Sequence, residues 1–327
     1  MVPIFSHPTK IILIDDHMPF LKSLSLLLPE TNLSYEFFDN PIEAINYINQ
    51  FQEPGSLEFV RNREDVSNDM CLVEYDFPSI YKTIEDSTRN EIISTIIVDY
   101  HMPEMNGLEF LKQIKNKKIR KILLTGNSSE SIAVKAFNEE IIHKYINKGN
   151  SELETILSES IIDSQKKYFA SFTRSIIETA INNQEIISAL KEPEFEVYFN
   201  QICKDYKIKE YYLLDPIGSY LMINKHDVAF ILTTQNKDLA DSYYCDLDGH
   251  EEGFSKKELE DIKNKKTIFC YRSLKNEELP DPELWAPYFK PATHIKGKQS
   301  FYCSLNKLDK SLLSPDMLKE FSSCIQF

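Results

Sequence analysis

Three apolar runs in this chain stop abruptly on polar chemistry: "ILIDD" at 12–16, "IIVDY" at 96–100 and "ILLTG" at 122–126. Short runs of Ile, Leu and Val without polar alternation suit strands buried on both faces of a sheet. Segments with helical spacing lie between them. "PFLKSLSLLLPE" sets Leu21, Leu24, Leu27 and Leu28 on one face, and "PIEAINYINQF" starts with proline directly after Asn40, a capping residue. "SYEFFDN" and "HKYIN" read as two further strands, "GLEFLKQIKN" and "SESIAVKAFNEE" as two further helices. Strands that alternate with helices predict parallel βαβ units and a doubly wound, five-stranded α/β sheet.

The sequence His-Met-Pro follows the first run at 17–19 and recurs at 101–103. A zinc site built on His17 and His101 lacks the close His/Cys spacing such sites use. The shared aspartates carry more weight. In an open parallel sheet, chemistry gathers at the carboxyl ends of the strands. Asp15 and Asp16 end the first strand, Asp99 the third and Thr125-Gly126 the fourth, while Lys148 follows the fifth. Three carboxylates in one crevice repel each other unless a hard cation sits among them, and Mg²⁺ takes carboxylate oxygens together with waters and phosphate oxygens. A hydroxyl (Thr125) and an ammonium (Lys148) facing that cation suit an anion. Taken singly, an aspartate here is a helix cap, Tyr145 a core aromatic and Lys148 a surface charge. Taken together they describe phosphoryl transfer to an aspartate nucleophile.

The segments "ILIDD", "IIVDYHMPEMNG", "LLTG" and "YINKG" resemble, in order and spacing, the receiver domain of two-component response regulators. That resemblance implies a flavodoxin-like fold and a set of roles. Asp99 would take a phosphoryl group from a sensor histidine kinase or phosphotransfer protein and lose it again by self-catalysed hydrolysis. Asp16 would bind Mg²⁺ directly, Asp15 largely through water, and the backbone carbonyl of His101 would be the remaining protein ligand beside Asp99. Thr125 would be the switch hydroxyl, Tyr145 the switch aromatic and Lys148 the phosphate-pairing lysine. Gly126 would leave the approach open, and Pro103 and Gly107 would shape the loop. His101 and Asn127 are placed to tune how fast water removes the phosphoryl group. One departure is Gly149, which stands where the family usually has a cis proline.

The chain thus divides into a receiver-like domain at 9–152, a helical connector at 153–192 and an α+β domain at 193–327. Residues 52–92 interrupt the first of these; about forty residues is far beyond an ordinary connection. Within them "PSIYKTIEDSTRNEII" has helical character. From Glu152 to Leu190 the pattern fits one long helix or two with a break near Ser164. After Pro193, "EYYLLD", "SYLMIN" and "VAFILTTQ" read as an antiparallel meander, and "KTIFCYRS" and "QSFYCSLNKL" as further strands. Ser255 with Glu258 forms a capping-box pattern ahead of "KKELEDIKNKK". Trp285 reads as core, and "DLDGHEEG" as a solvated loop lacking the full calcium-loop pattern.

Net charge is −14, and residues 192–327 carry 18 Lys/Arg against 23 Asp/Glu, so a nucleic-acid-binding output is not expected. No Gly-Gly-Asp-Glu-Phe loop or other enzymatic output signature is evident. Six scattered cysteines without a Cys-x-x-Cys pair, no secretory leader and no membrane-length apolar run point to a cytoplasmic protein. The whole layout resembles the Legionella quorum sensing response regulator group. The leading expectation is output through phosphorylation-linked homodimerisation or protein interaction; a nucleotide- or ligand-binding output is the second possibility, and an atypical DNA-binding regulator the third.

Overall fold

The computed structural model describes residues 1–28, 33–50, 60–65, 70–75, 80, 83–126, 130–179, 188–271 and 279–308. It divides into two compact units. One comprises His7–Leu57 and Thr88–Thr173; the other comprises Met1–Ser6, Glu58–Ser87 and Arg174–Phe327. The chain opens with a two-residue strand of the second unit, β1 (Phe5–Ser6), and then enters the first.

In the first unit, β2 (Lys10–Ile14), α1 (Met18–Ser25), β3 (Ser34–Phe38) and α2 (Pro41–Gln50) follow in order. Asn40 caps α2: its Oδ1 accepts from the amides of Ile42 (2.8 Å) and Glu43 (3.1 Å). Residues of the second unit intervene, carrying an antiparallel pair, β4 (Val60–Asp65) and β5 (Met70–Tyr75). Of the helical stretch expected at 78–93, Ile80 is helical and two short 3₁₀ turns follow, Thr83–Glu85 and Ser87–Glu91, while residues 78–79 and 81–82 lie outside the described residues. The Asp86 amide closes on the Thr83 carbonyl (3.1 Å), the short i+3 bond typical where Ser, Thr and Asp crowd a turn. The rest of the 52–92 stretch lies largely outside the described residues.

The first unit resumes with β6 (Ile93–Asp99), α3 (Gly107–Lys112), β7 (Arg120–Thr125), α4 (Glu130–Asn138), β8 (Lys144–Asn147) and α5 (Leu153–Thr179), whose residues from Arg174 on belong to the second unit. All strand pairs are parallel, in the order β3-β2-β6-β7-β8. This is the doubly wound, flavodoxin-like α/β fold expected from the pattern. Alternation along β2 explains the two cores. Ile12 and Ile14 join Ala44, Ile48, Phe110 and Ala133 from α2, α3 and α4. Ile11 and Leu13 join Leu21 and Leu24 of α1 and Leu157 and Ile161 of α5. Each such Ile, Leu or Phe side chain contributes about 1.5–3 kcal/mol on burial. Of the two readings of residues 152–190, the continuous one holds across Ser164, because α5 runs unbroken from Leu153 to Thr179.

The second unit carries α6 (Pro193–Asp205), β9 (Ile208–Leu213), β10 (Tyr220–Asn224), β11 (Ala229–Asn236), α7 (Lys237–Cys245), α8 (Lys256–Lys263), β12 (Thr267–Phe269), β13 (Phe289–Pro291), β14 (Thr293–Lys296) and β15 (Ser300–Lys307). Its main sheet is antiparallel, in the order β1-β9-β10-β11-β15-β14. The expected meander is β9-β10-β11, and the capping box at Ser255 and Glu258 is formed. Residues 1–6 were assigned to no element by the sequence pattern, yet Phe5 pairs with Tyr212, and Val2, Ile4 and Phe5 are buried. Trp285 lies in a core with Leu247, Ile262 and Phe269, its indole N–H donating to the Pro280 carbonyl at 2.7 Å. Among the described residues no helix is long and apolar enough to cross a membrane.

Candidate functional site

The carboxyl ends of β2 and β6 put Asp15, Asp16 and Asp99 together, with one carboxylate oxygen from each lying within 4.8 Å of the others. Among the described residues this is the sole such group of three candidate metal ligands. Asp15 and Asp99 are buried, whereas Asp16 is exposed. The placement follows from register: Ile14 pairs with Val98, so the next residue of each strand leaves the sheet side by side.

Lys148 completes the cluster. It follows β8, and its amide donates to the Thr125 carbonyl at 2.9 Å. Its ammonium lies 2.5 Å from Asp15 Oδ2 and 2.8 Å from Asp99 Oδ1. Two carboxylates that would otherwise repel therefore share one cation. The ammonium also lies 4.6 Å from the centroid of the Phe20 ring on α1. Phe20 is the site residue that sequence reasoning missed; nothing in the helical pattern of α1 distinguishes it from packing residues. The His17 amide donates to Asp15 Oδ1 at 3.0 Å, which orients that carboxylate through the backbone rather than the imidazole. Burial pushes the Asp99 carboxyl above its ordinary pKa, with the Lys148 bond pulling it back and the Asp15 charge adding to the rise.

The loop from Asp99 to α3 is built on glycine. A Cβ on Gly107 would lie 2.2 Å from the Asp99 carbonyl oxygen, so only glycine lets α3 start here. Asn106 caps that helix reciprocally with Glu109, and Glu104 takes a positive φ of 70° in the same loop. His101 follows Asp99 on this loop, and its exposed ring packs edge-on against Tyr100. Thr125 is fully buried at the end of β7, its hydroxyl donating to the Gly126 carbonyl at 3.2 Å. Among the described residues a Cβ on Gly126 would meet nothing within 4 Å, in contrast to Gly107. Tyr145 is half-buried against the core that holds Ile12, Phe110 and Ala133. Among the described residues the peptide bonds are trans, the Lys148–Gly149 bond included. Asn127 lies outside the described residues.

Three hard oxygen donors, one of them exposed, fit Mg²⁺ bound through a few carboxylates with the remaining positions left to water or phosphate. Residues 68–158, the span holding Asp99, Thr125 and Lys148, match the family model of the response regulator receiver domain. With this fold, the match makes the first unit a receiver domain and the chain a response regulator of the two-component type. Over its whole length the chain is similar to the solved response regulator LqsR of Legionella pneumophila. Identity is 26%, with 99% of this chain and 96% of that one covered and a TM-score of 0.79. Two other structures align with about half of the chain. They are an adenylate cyclase from Rhodopirellula baltica (18% identity, 53% of this chain and 98% of that one, TM-score 0.37) and the signal receiver domain of an HD domain-containing protein from Pseudomonas fluorescens Pf-5 (18%, 52% and 95%, 0.36). No curated protein sequence gives a significant match.

Proposed function

We propose that Asp99 is the phosphoacceptor of this response regulator and that phosphorylation there controls its output. The observation that carries the reading is the cluster of Asp15, Asp16 and Asp99 around which Lys148 closes. A carboxylate oxygen of Asp99 attacks phosphorus. The phosphorus–nitrogen bond to the histidine of a sensor kinase or phosphotransfer protein breaks, and the imidazole leaves. Asp15, Asp16, Asp99 and the His101 carbonyl would hold Mg²⁺, which offsets the negative charge shared by the phosphoryl oxygens and the acids. Lys148 supplies a positive charge beside Asp99 and is positioned to pair with a phosphoryl oxygen. Water later cleaves the acyl phosphate and restores the carboxylate, with His101 and Asn127 tuning that rate.

An aspartyl phosphate carries roughly −1.5 to −2 charges, by analogy with other phospho-residues, in place of one carboxylate charge. The Thr125 hydroxyl and Lys148 move toward it, and Tyr145 follows into the space Thr125 leaves. Output is dimerisation or binding of a protein partner. The apolar side chains of Ile132, Val134 and Phe137, exposed on α4, support a face that such a partner covers. The layout shared with the Legionella quorum sensing group supports a cytoplasmic quorum-sensing circuit. Intact mass after treatment with acetyl phosphate and Mg²⁺ tests the proposal. Wild type gains one phosphoryl group and Asp99→Ala gains none; a folded wild type that gains nothing removes the proposal.

A further inference from the structure

The ammonium of Lys148 sits at the end of a long flexible stem, yet only 22% of that side chain is exposed. Its root is fixed. The Lys148 amide donates to the Thr125 carbonyl at 2.9 Å, and the Gly149 amide that follows donates to Asn147 Oδ1 at 2.8 Å. Holding the tip as well means losing the rotamer freedom of the whole stem, so the tip needs holders of its own. Asp15 and Asp99 are two of them, and the face of the Phe20 ring, 4.6 Å from the ammonium, is the third.

The turn that presents the acids also delivers this ring. Helix α1 starts at Met18 with Pro19 in its first turn, and the Phe20 amide donates to the His17 carbonyl at 2.8 Å. The His17 amide takes Asp15 Oδ1, while Oδ2 accepts from Lys148. Phe20 is half-buried and packs against the core that holds Leu21, Leu24 and Leu157, so its ring stands as a wall rather than a free arm. Leucine or methionine would fill that core as well, but only an aromatic ring offers a cation a negative face. The ring also has no net charge. It steadies the ammonium without adding to the negative charge that an incoming phosphoryl group meets.

We propose that Phe20 is a positioning residue for phosphoryl transfer: its ring holds the Lys148 ammonium at Asp15 and Asp99, so the lysine is already ordered when the phosphodonor arrives. This rests on the reading of Asp99 as phosphoacceptor. The test follows the full-length protein by intact mass as Asp99 takes the phosphoryl group of acetyl phosphate with Mg²⁺ and acetate leaves, and reads the second-order rate constant. Phe20→Leu lowers that constant about fivefold, the size of a partly desolvated ammonium–ring contact. Should that variant fail to fold, Phe20→Met takes its place. Phe20→Tyr keeps the ring and holds uptake within about twofold of wild type, a rescue that filling the core does not explain. NMR reports the contact itself. The ring current shifts the Lys148 ε-methylene protons upfield in wild type and Phe20→Tyr, and they return to the ordinary lysine position in Phe20→Leu. Wild-type speed in the folded Phe20→Leu, Phe20→Tyr as slow as Phe20→Leu, or unshifted Lys148 protons in wild type overturns the proposal and leaves Asp99 as phosphoacceptor. No uptake by wild type overturns both.

Discussion

The parallel and the antiparallel sheet of this chain differ in where their polar residues lie: the parallel sheet buries the hydroxyls of Thr9, Ser94 and Thr95 near the amino ends of its strands and sets its carboxylates at the carboxyl ends. Every residue of β6 from Ile93 to Asp99 is buried, with helices on both faces of its sheet, so functional groups can reach solvent only at the strand ends. In the antiparallel sheet the polar residues Ser219, Thr234, Gln235 and Ser304 are themselves buried. They bond to one another and to the backbone. The first arrangement concentrates chemistry at one edge; the second disperses it through a wall. The consequence is that charge should dominate the energetics of the first unit's site, and local caps and packing those of the second.

Lys148→Met is the strongest way to break that contrast. Removing one partner of a buried ion pair typically costs 3–5 kcal/mol. About 3 kcal/mol is expected here, since 22% of the lysine side chain is exposed and Asp15 and Asp99 are left facing each other. The Asp99 carboxyl, already raised by burial, should then titrate higher still. Acids with raised folded pKa values favour the fold below their unfolded pKa and lose that benefit as pH rises through the folded one. The variant's deficit in urea denaturation should therefore be largest at neutral pH and shrink toward pH 4. A deficit that does not change with pH would mean that charge is not what Lys148 contributes. Next in size comes Gly107→Ala, expected to cost about 2 kcal/mol because its Cβ collides with the Asp99 backbone. Gly126→Ala has open space and should change stability by less than about 1 kcal/mol in thermal melts.

This contrast also explains what could be read from the chain itself. Asp15, Asp99, Thr125 and Lys148 were legible because each stands just where an apolar run stops, and strand ends in a parallel sheet share one edge. The ammonium between two carboxylates was not legible, because spacing gives the edge but not which groups touch. Nor was the role of Phe20, one apolar residue among many on α1. In the second unit β9, β10 and β11 were legible from their runs. The first residues were not: "VPIFS" is too short to announce a strand, although Val2, Ile4 and Phe5 are as buried as any core residue. Helix α6 could have been found, since Phe195, Phe199 and Ile202 recur at helical spacing and are all buried.

His143 provides a smaller test, within the first unit but away from its acid edge. Its Nδ1 accepts from the Lys121 amide at 2.9 Å, a bond only the unprotonated nitrogen can make. Burial, then the charges of Arg120, Lys121 and Lys167, lower its pKa to about 4. The unfolded chain binds this proton near pH 6.5 and the folded one only near 4, so stability falls as pH drops through that window. The expected loss is on the order of 1–2 kcal/mol once its partial exposure is discounted. His143→Gln should flatten the dependence between pH 6.5 and 4 in chemical denaturation. An unaltered slope would assign the acid sensitivity to other groups.

The sharpest comparison comes from a small effect, because the same residue type does the same local work in both units. Asn106 accepts from the amides of Leu108 and Glu109 at the start of α3, and Asn236 accepts from the Leu239 amide at the start of α7. Replacing either by alanine leaves a helix N-terminus without its cap and should cost about 1 kcal/mol. The two losses should differ in consequence. Asn106 ends the loop that begins at Asp99, so its loss loosens the ground on which the acid stands and should slow phosphoryl uptake from acetyl phosphate several-fold. Asn236 joins β11 to α7 in the unit whose chemistry is dispersed, and its loss should leave uptake at the wild-type rate. If Asn236→Ala slows uptake as much as Asn106→Ala does at equal stability, the cost is general loosening and the strand edge has no special claim on the chemistry.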